Sequence, residues 1–180
     1  MFEIREMTQK DIPSVAAIER ECFSQPWSEG SLSSEILKEN ALMLVACSGG
    51  AVIGWGGLEH LLGEGSITNV AVSKTARRKG AARRLMLEII KRAEVLCIES
   101  ITLEVRESNI GAISLYKGLG FEELGKRPGF YDYPTEDALM MKLKATPHRN
   151  CVWQALANYS ADEPETTGNP WWIAEDFGKI

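Results

Sequence analysis

The chain opens on an alternation. Phe2-Glu3-Ile4-Arg5-Glu6-Met7 places apolar and polar residues in turn, as a half-buried strand does. Thr8 or Asp11 then offers an N-cap for a helix carrying Ile12, Val15, Ile18 and Cys22 at helical spacing. Pro26-Trp27-Ser28 breaks that helix, and Ser28 can cap a second one bearing Leu32, Ile36 and Leu37. Ala41 to Cys47 and Val52 to Leu58 read as β-prone apolar runs separated by Ser48-Gly49-Gly50, a tight-turn signal between antiparallel strands. Ser66 to Val72 makes a further strand after Gly63 and Gly65. From Gly80 onward, Leu85, Ile89, Ala93 and Leu96 share one face of a helix whose other faces carry Arg83, Arg84, Lys91 and Arg92. Ile101 to Arg106 alternates as a strand, Ser108 or Asn109 can cap a helix through Tyr116, and Gly118-Leu119-Gly120 closes it. Phe121 to Leu124 and Ala138 to Leu143 read as the last two strands. The order predicts a mixed α/β layer fold.

Composition narrows the class. With 180 residues, 44% of them apolar, one domain and one core are expected. No apolar run approaches the ~20 residues of a membrane span, and the first residues lack the basic and apolar regions of a signal peptide, so the expected location is the cytoplasm. Cys22, Cys47, Cys97 and Cys151 are widely spaced, have no zinc-type pairing, and read as buried or surface thiols. Only His60 and His148 offer imidazoles, which argues against a metal site and against a Ser/His/Asp triad.

Charge supplies the first chemical clue. The net charge is −5, yet Lys74, Arg77, Arg78, Lys79, Arg83, Arg84, Lys91 and Arg92 fall within 19 residues that hold one acid, Glu88, a local balance of +7. Such a window suits a polyanion, either nucleic acid or a phosphorylated small molecule; it also suits a solvated basic helix face. A strand feeding a short loop that opens a helix at Gly80 would converge unpaired N–H groups on an anion. Neither the Walker pattern nor GxGxxG is present.

The string Arg77-Arg78-Lys79-Gly80-Ala81-Ala82, preceded by Val70-Ala71-Val72, resembles the (Gln/Arg)-x-x-Gly-x-(Gly/Ala) pyrophosphate loop of the GNAT superfamily of N-acetyltransferases. Leu103 to Asn109, Ala112 to Phe121, Pro26-Trp27-Ser28 and Glu136 to Met141 resemble its RimI-like branch, the alanine N-acetyltransferases of a ribosomal protein. The resemblance spans about residues 2 to 144. It implies a GNAT fold: a central, mostly antiparallel twisted sheet with helices on both faces. The implied activity moves acetyl from acetyl-CoA to the α-amino group of a protein N-terminus, expected to be the N-terminal alanine of a small-subunit ribosomal protein. No metal is expected.

Residue roles follow from the resemblance and from chemistry together. Acetyl transfer needs a deprotonated amine, a polarised thioester carbonyl and an acid for the departing thiolate. Glu104 is the candidate base; an exposed strand carboxylate is the other reading. Tyr116 is the candidate acid, and otherwise an aromatic packing residue. The resemblance implies that Val70, Ala71 and Val72 line the pantetheine arm through main-chain groups and that Arg78, Lys79, Gly80, Ala81, Ala82 and Arg83 surround the pyrophosphate. It also implies that Asn109 contacts the cofactor, a residue that can equally be a helix cap. Tyr131 reads either as bordering the acceptor groove or as a packing aromatic in a loop. The chain departs from the family where Phe130 precedes Tyr131, many relatives having two tyrosines, and at Ala82, where glycine is common.

Three alternatives stand beside the leading reading: an acetyltransferase of the same fold acting on lysine or a small amine, a nucleic-acid-binding module, and a non-catalytic acyl-CoA sensor. The +7 window favours the second, but no base-stacking or DNA-reading motif accompanies it. Retention of Glu104 and Tyr116 argues against the third. Residues 1–146 are expected to form the acetyltransferase domain. The extension 147–180, with Trp153, Trp171, Trp172 and a local charge of −3, is expected to pack on that domain or on a neighbouring subunit.

Overall fold

A computed structural model describes residues 2–146. The expectation for 147–180 lies outside the described residues. Strand β1 (Glu3–Glu6) leads through a short 3-10 turn into α1 (Ile12–Cys22), followed by α2 (Glu29–Glu35). Three antiparallel strands come next, β2 (Ala41–Ser48), β3 (Ala51–Leu61) and β4 (Glu64–Val72). Then follow α3 (Ala81–Val95), β5 (Ser100–Arg106), α4 (Ile110–Lys117), β6 (Glu122–Tyr131) and β7 (Glu136–Lys144).

All seven strands form one sheet in the order β1-β2-β3-β4-β5-β7-β6. Neighbours are antiparallel except β4 and β5, which α3 joins as a parallel crossover. The period of two along β2 divides the core. Met43, Val45 and Cys47 pack with Val15 and Ile18 of α1 and Leu32 of α2, while Leu44 and Ala46 join Leu85, Met86 and Ile89 of α3. Tyr116 of α4 belongs to this second cluster. Helices therefore cover both faces of the sheet, as expected.

The local signals explain most boundaries. Ser28 Oγ accepts from the Ser31 N–H at 3.0 Å and starts α2. Leu62 and Gly63 both have positive φ, 49° and 82°, the twist that a two-residue hairpin needs between β3 and β4.

Strand β6 differs from its expected extent. The expected strand ended at Leu124; β6 instead runs on to Tyr131, past Gly125, Pro128 and Gly129, through register shifts against β7 between Glu123 and Gly125 and between Arg127 and Tyr131. Tyr131 consequently ends a strand and is not a loop residue. Cys22 and Cys47 are free thiols, whereas Cys97 is disulfide-bonded, which corrects its reading as a thiol.

Candidate active site

Strands β4 and β5 pair only from Glu64 to Ser66 against Ser100 to Thr102. Beyond Ser66 and Thr102 the ladder between them ends, and the two strands separate. A main-chain edge left unpaired in the middle of a sheet must meet water, a side chain or a ligand. Two cavities open there. One, of about 490 Å³, is bordered by Asn69, Leu103, Glu104, Arg106, Phe130 and Tyr131. The other, of about 470 Å³, is bordered by Ala71, Val72 and the loop into α3. Val70, Asn109 and Tyr116 line both and so mark their junction.

The second cavity ends on a loop whose main-chain geometry suits the cradling of an anion. The main-chain N–H groups from Arg78 to Arg83 have no acceptor among the described residues, because α3 begins at Ala81 and its first ladder bond is Arg84 N–H to Gly80 O at 3.1 Å. They converge at the positive end of a 15-residue helix. Gly80 has φ 84°, and a Cβ built there meets nothing within 4 Å, so the space above the loop is clear. Arg78 is also left-handed, with φ 62°, a conformation that a non-glycine residue adopts at a cost. Arg78, Gly80, Ala81, Ala82 and Arg83 all border the cavity, as do Val70, Ala71, Val72 and Asn109. Lys79 does not: its ammonium turns back to the Thr75 carbonyl at 3.1 Å, so only its main chain is available to the cradle.

The basic window is not one continuous patch. Arg77 reaches inward to Val72 O and Cys22 Sγ, Arg84 donates to Phe2 O, and Arg92 is shared between Glu88 and Glu6. Its charge is divided between the cradle and internal pairs, which weakens the case for a nucleic-acid face.

In the first cavity, Glu104 and Tyr116 face a common space with Tyr131. Glu104 Oε1 accepts from Arg127 Nη1 at 3.2 Å. Tyr116 is buried, 8% exposed, and its hydroxyl makes no hydrogen bond to another described residue. Burial pushes its phenol up to about 12. Burial likewise raises Tyr131, opposed by the Arg106 guanidinium stacked 4.2 Å above its ring. Arg106 also donates to Tyr133 O, Pro134 O and Glu136, which fixes the turn that carries Tyr131. Asn109 caps α4 by accepting from the Ala112 N–H at 3.2 Å, which bears out its reading as a cap, and it also lines both cavities.

The residues missed from sequence, Glu19 and Arg127, do not border the first cavity but hold residues that do: Trp27 and Asn69 for the one, Glu104 for the other. Glu19 on α1 is fully buried and receives hydrogen bonds from Trp27, Trp55 and Asn69. One signal was available: Glu19 stands four residues after Val15, so the apolar stripe of α1 contains a carboxylate that needs partners. Arg127 gave no such signal, since its contact with Glu104 depends on the β6 register shifts. Among the described residues, no cluster of metal-ligating side chains occurs and no helix is long and apolar enough to cross a membrane.

Comparison with known proteins agrees with this geometry. The ribosomal protein bS18-alanine N-acetyltransferase of Escherichia coli (strain K12) is 33% identical over 147 residues, covering 79% of this chain and 97% of that enzyme. The crystal structure of the ribosomal protein alanine N-acetyltransferase from Escherichia coli matches with a TM-score of 0.76 at 31% identity, over 82% of this chain and 96% of that one. A PaiA N-acetyltransferase from Thermoplasma acidophilum, solved in complex with coenzyme A, shares the fold at 19% identity, with a TM-score of 0.69 over 80% of this chain and 99% of that one. The family model described as Acetyltransferase (GNAT) family matches residues 12–121, and with that match and these relatives the chain belongs to the GNAT family of acetyltransferases.

Proposed function

We propose that this enzyme transfers the acetyl group of acetyl-CoA to the α-amino group of a protein N-terminus, and that the acceptor is the N-terminal alanine of a small-subunit ribosomal protein in the cytoplasm. The observation that carries this reading is the continuity of the cleft: an anion cradle at Gly80 in the second cavity, a buried phenol at the junction and the Glu104 carboxylate in the first. The named activity of the Escherichia coli relative supports the choice of acceptor.

Each residue then has a task. Main-chain N–H groups from Arg78 to Arg83 hold the pyrophosphate, with Arg78 and Arg83 adding charge. The edge of Val70, Ala71 and Val72, which has no partner strand there, directs the pantetheine arm toward the junction, where Asn109 lies beside it. The acceptor amine, with a free pKa of about 8, needs only modest help to lose its proton, and Glu104 accepts it directly or through water. The amine nitrogen attacks the thioester carbonyl, the C–N bond forms, the C–S bond breaks, and Tyr116 gives its proton to the departing thiolate. Tyr131 borders the peptide.

The test is incubation with acetyl-CoA and a panel of free peptide N-termini, N-terminally blocked lysine peptides and small amines, with the added acetyl located by mass spectrometry. Acetylation at the α-amine of alanine-initiated peptides is expected. Modification confined to lysine or small amines would overturn the choice of acceptor.

A further inference from the structure

Every group that meets the Glu19 carboxylate is a donor. The Trp27 main-chain N–H reaches Oε2 at 3.0 Å and Trp55 Nε1 reaches Oε1 at 3.1 Å. Asn69 Nδ2 lies 3.0 Å from Oε1 and 3.2 Å from Oε2. Two of these donors, the Trp27 and Trp55 N–H groups, cannot turn into acceptors and occupy one carboxyl oxygen each, which favours the carboxylate although burial pushes its pKa up. The four contacts tie α1 to β3, to β4 and to the loop between α1 and α2.

The consequence falls on Asn69. A carboxylate only accepts, so of the two ends of the amide it selects the NH2, and the carbonyl end must point elsewhere. Asn69 Oδ1 accepts nothing from the described residues and is not among their sealed-off polar atoms, which are Glu35 Oε1 and Thr68 Oγ1. It is therefore an open acceptor. Asn69 borders the Glu104 chamber, on the unpaired stretch of β4 one residue before the junction at Val70.

We infer that Asn69 Oδ1 is a preset hydrogen-bond acceptor for an N–H of the incoming amine substrate, and that Glu19 is the positioning residue that fixes its direction. This rests on reading the Glu104 chamber as the acceptor side. The chemistry selected is an amine or peptide N–H, and a group offering only lone pairs gains nothing there. Trp27 adds a second effect: with its main-chain N–H held by the same carboxylate, the loop from Phe23 to Trp27 keeps its place as the facing wall.

Three variants test the inference: Asn69→Ala, Glu19→Gln and the exchange Glu19→Gln with Asn69→Asp. Each is checked for folding by thermal unfolding and assayed with whichever amine of the panel the wild type uses best. The wild-type panel judges the proposed function, and the variant KM ratios judge this inference, so either can fail alone. Asn69→Ala should raise the acceptor KM about tenfold, with acetyl-CoA affinity by calorimetry unchanged. Glu19→Gln lets the amide turn its NH2 into the chamber and should do the same. In the exchange, the carboxylate introduced at position 69 can take one hydrogen bond from the new amide at position 19 and present its other oxygen to the chamber. Acceptor KM should then recover toward wild type relative to Glu19→Gln alone. A folded Asn69→Ala enzyme with wild-type acceptor KM would overturn the inference. Equal losses for both substrates, or an exchange no better than Glu19→Gln, would reduce Glu19 to a structural residue and overturn its positioning role.

Discussion

The Arg127 guanidinium donates to Glu104 Oε1 at 3.2 Å while lying 5.0 Å above the Phe130 ring. The proposed base is thus shared with an arginine from the neighbouring hairpin, and its second oxygen, Oε2, has no donor among the described residues. The arginine side chain is 56% exposed, so the pair adds little to stability, under about 1 kcal/mol. Its effect belongs to orientation. Arg127→Ala should leave the unfolding midpoint nearly unchanged and alter turnover several-fold, read by steady-state kinetics beside thermal unfolding. A large loss of stability would show that the pair holds the hairpin.

Replacing Glu104 itself separates proton transfer from positioning. Glu104→Gln keeps the shape and removes the base, so turnover should fall by ~10²-fold or more. The amine loses its own proton as pH approaches about 8, so the deficit should be largest below that pH and shrink above it. Rate–pH series on both proteins check this. A deficit constant with pH would assign Glu104 to orientation.

For Tyr116, the raised phenol pKa gives two separable outcomes. Because it lies near 12, the proton for the thiolate is present throughout the neutral range, and Tyr116→Phe should cost ~10²–10⁴ in turnover while leaving coenzyme A affinity unchanged. Stability moves the other way at high pH. An unfolded tyrosine ionises near 10, the folded one near 12, so wild-type stability is full below about 10 and declines between these values as the unfolded state gains the ionisation. The Phe variant lacks this loss and should become the more stable protein in that window, measurable by denaturant unfolding from pH 8 to 11. Identical pH profiles would show that the phenol is not shielded.

Much of this architecture was legible because local signals agree with the tertiary solution. The alternation of β2 assigns Met43 and Val45 to one face and Leu44 and Ala46 to the other, and Ser28 and Asn109 cap the helices they precede. The start of α3 was legible because Gly80 stands ahead of the apolar stripe Leu85, Ile89 and Ala93, and it takes the left-handed N-cap position. The acceptor side was harder. Its walls come from the loop after α1, the bulged end of β6 and the unpaired edge of β4, and no periodicity brings Glu19, Asn69 and Arg127 into one list. The continuation of β6 past Gly125 to Tyr131 was not legible, because glycine and proline do not distinguish a bulge from a stop.

Asp11 supplies a prediction on the fold alone. Its carboxylate accepts two bonds from Arg5 at 2.8 Å and two from Thr8, the main-chain N–H and Oγ1, also at 2.8 Å, tying β1 to the start of α1. The Arg5 guanidinium holds this carboxyl well below the usual carboxylate range. A depressed folded pKa means that the contribution is complete above the unfolded value of about 3.9 and is lost as pH falls below it. Asp11→Asn should therefore destabilise by about 1–3 kcal/mol at pH 7, and the gap to wild type should narrow below pH 4. Denaturant unfolding at both pH values measures it, and a gap independent of pH would assign the loss to packing.

The cradle at Gly80 allows strain and obstruction to be told apart. With φ at 84°, alanine or valine is strained there by roughly 1–2 kcal/mol, whereas asparagine adopts the left-handed region at a smaller cost. A Cβ meets no protein atom within 4 Å, so each substitution extends into open space, which the proposed function gives to the pyrophosphate. Obstruction should then depend on side-chain size and strain on residue type. Gly80→Asn is expected to keep near-wild-type stability yet weaken coenzyme A binding by more than tenfold, while Gly80→Ala loses stability and weakens binding less. Gly80→Val should lose both. Calorimetric affinities set against unfolding midpoints for the three variants give the answer. If affinity followed stability across the series, with Gly80→Asn binding like wild type, the loop would be acting through its backbone conformation alone, and the open space above Gly80 would not be the phosphate site.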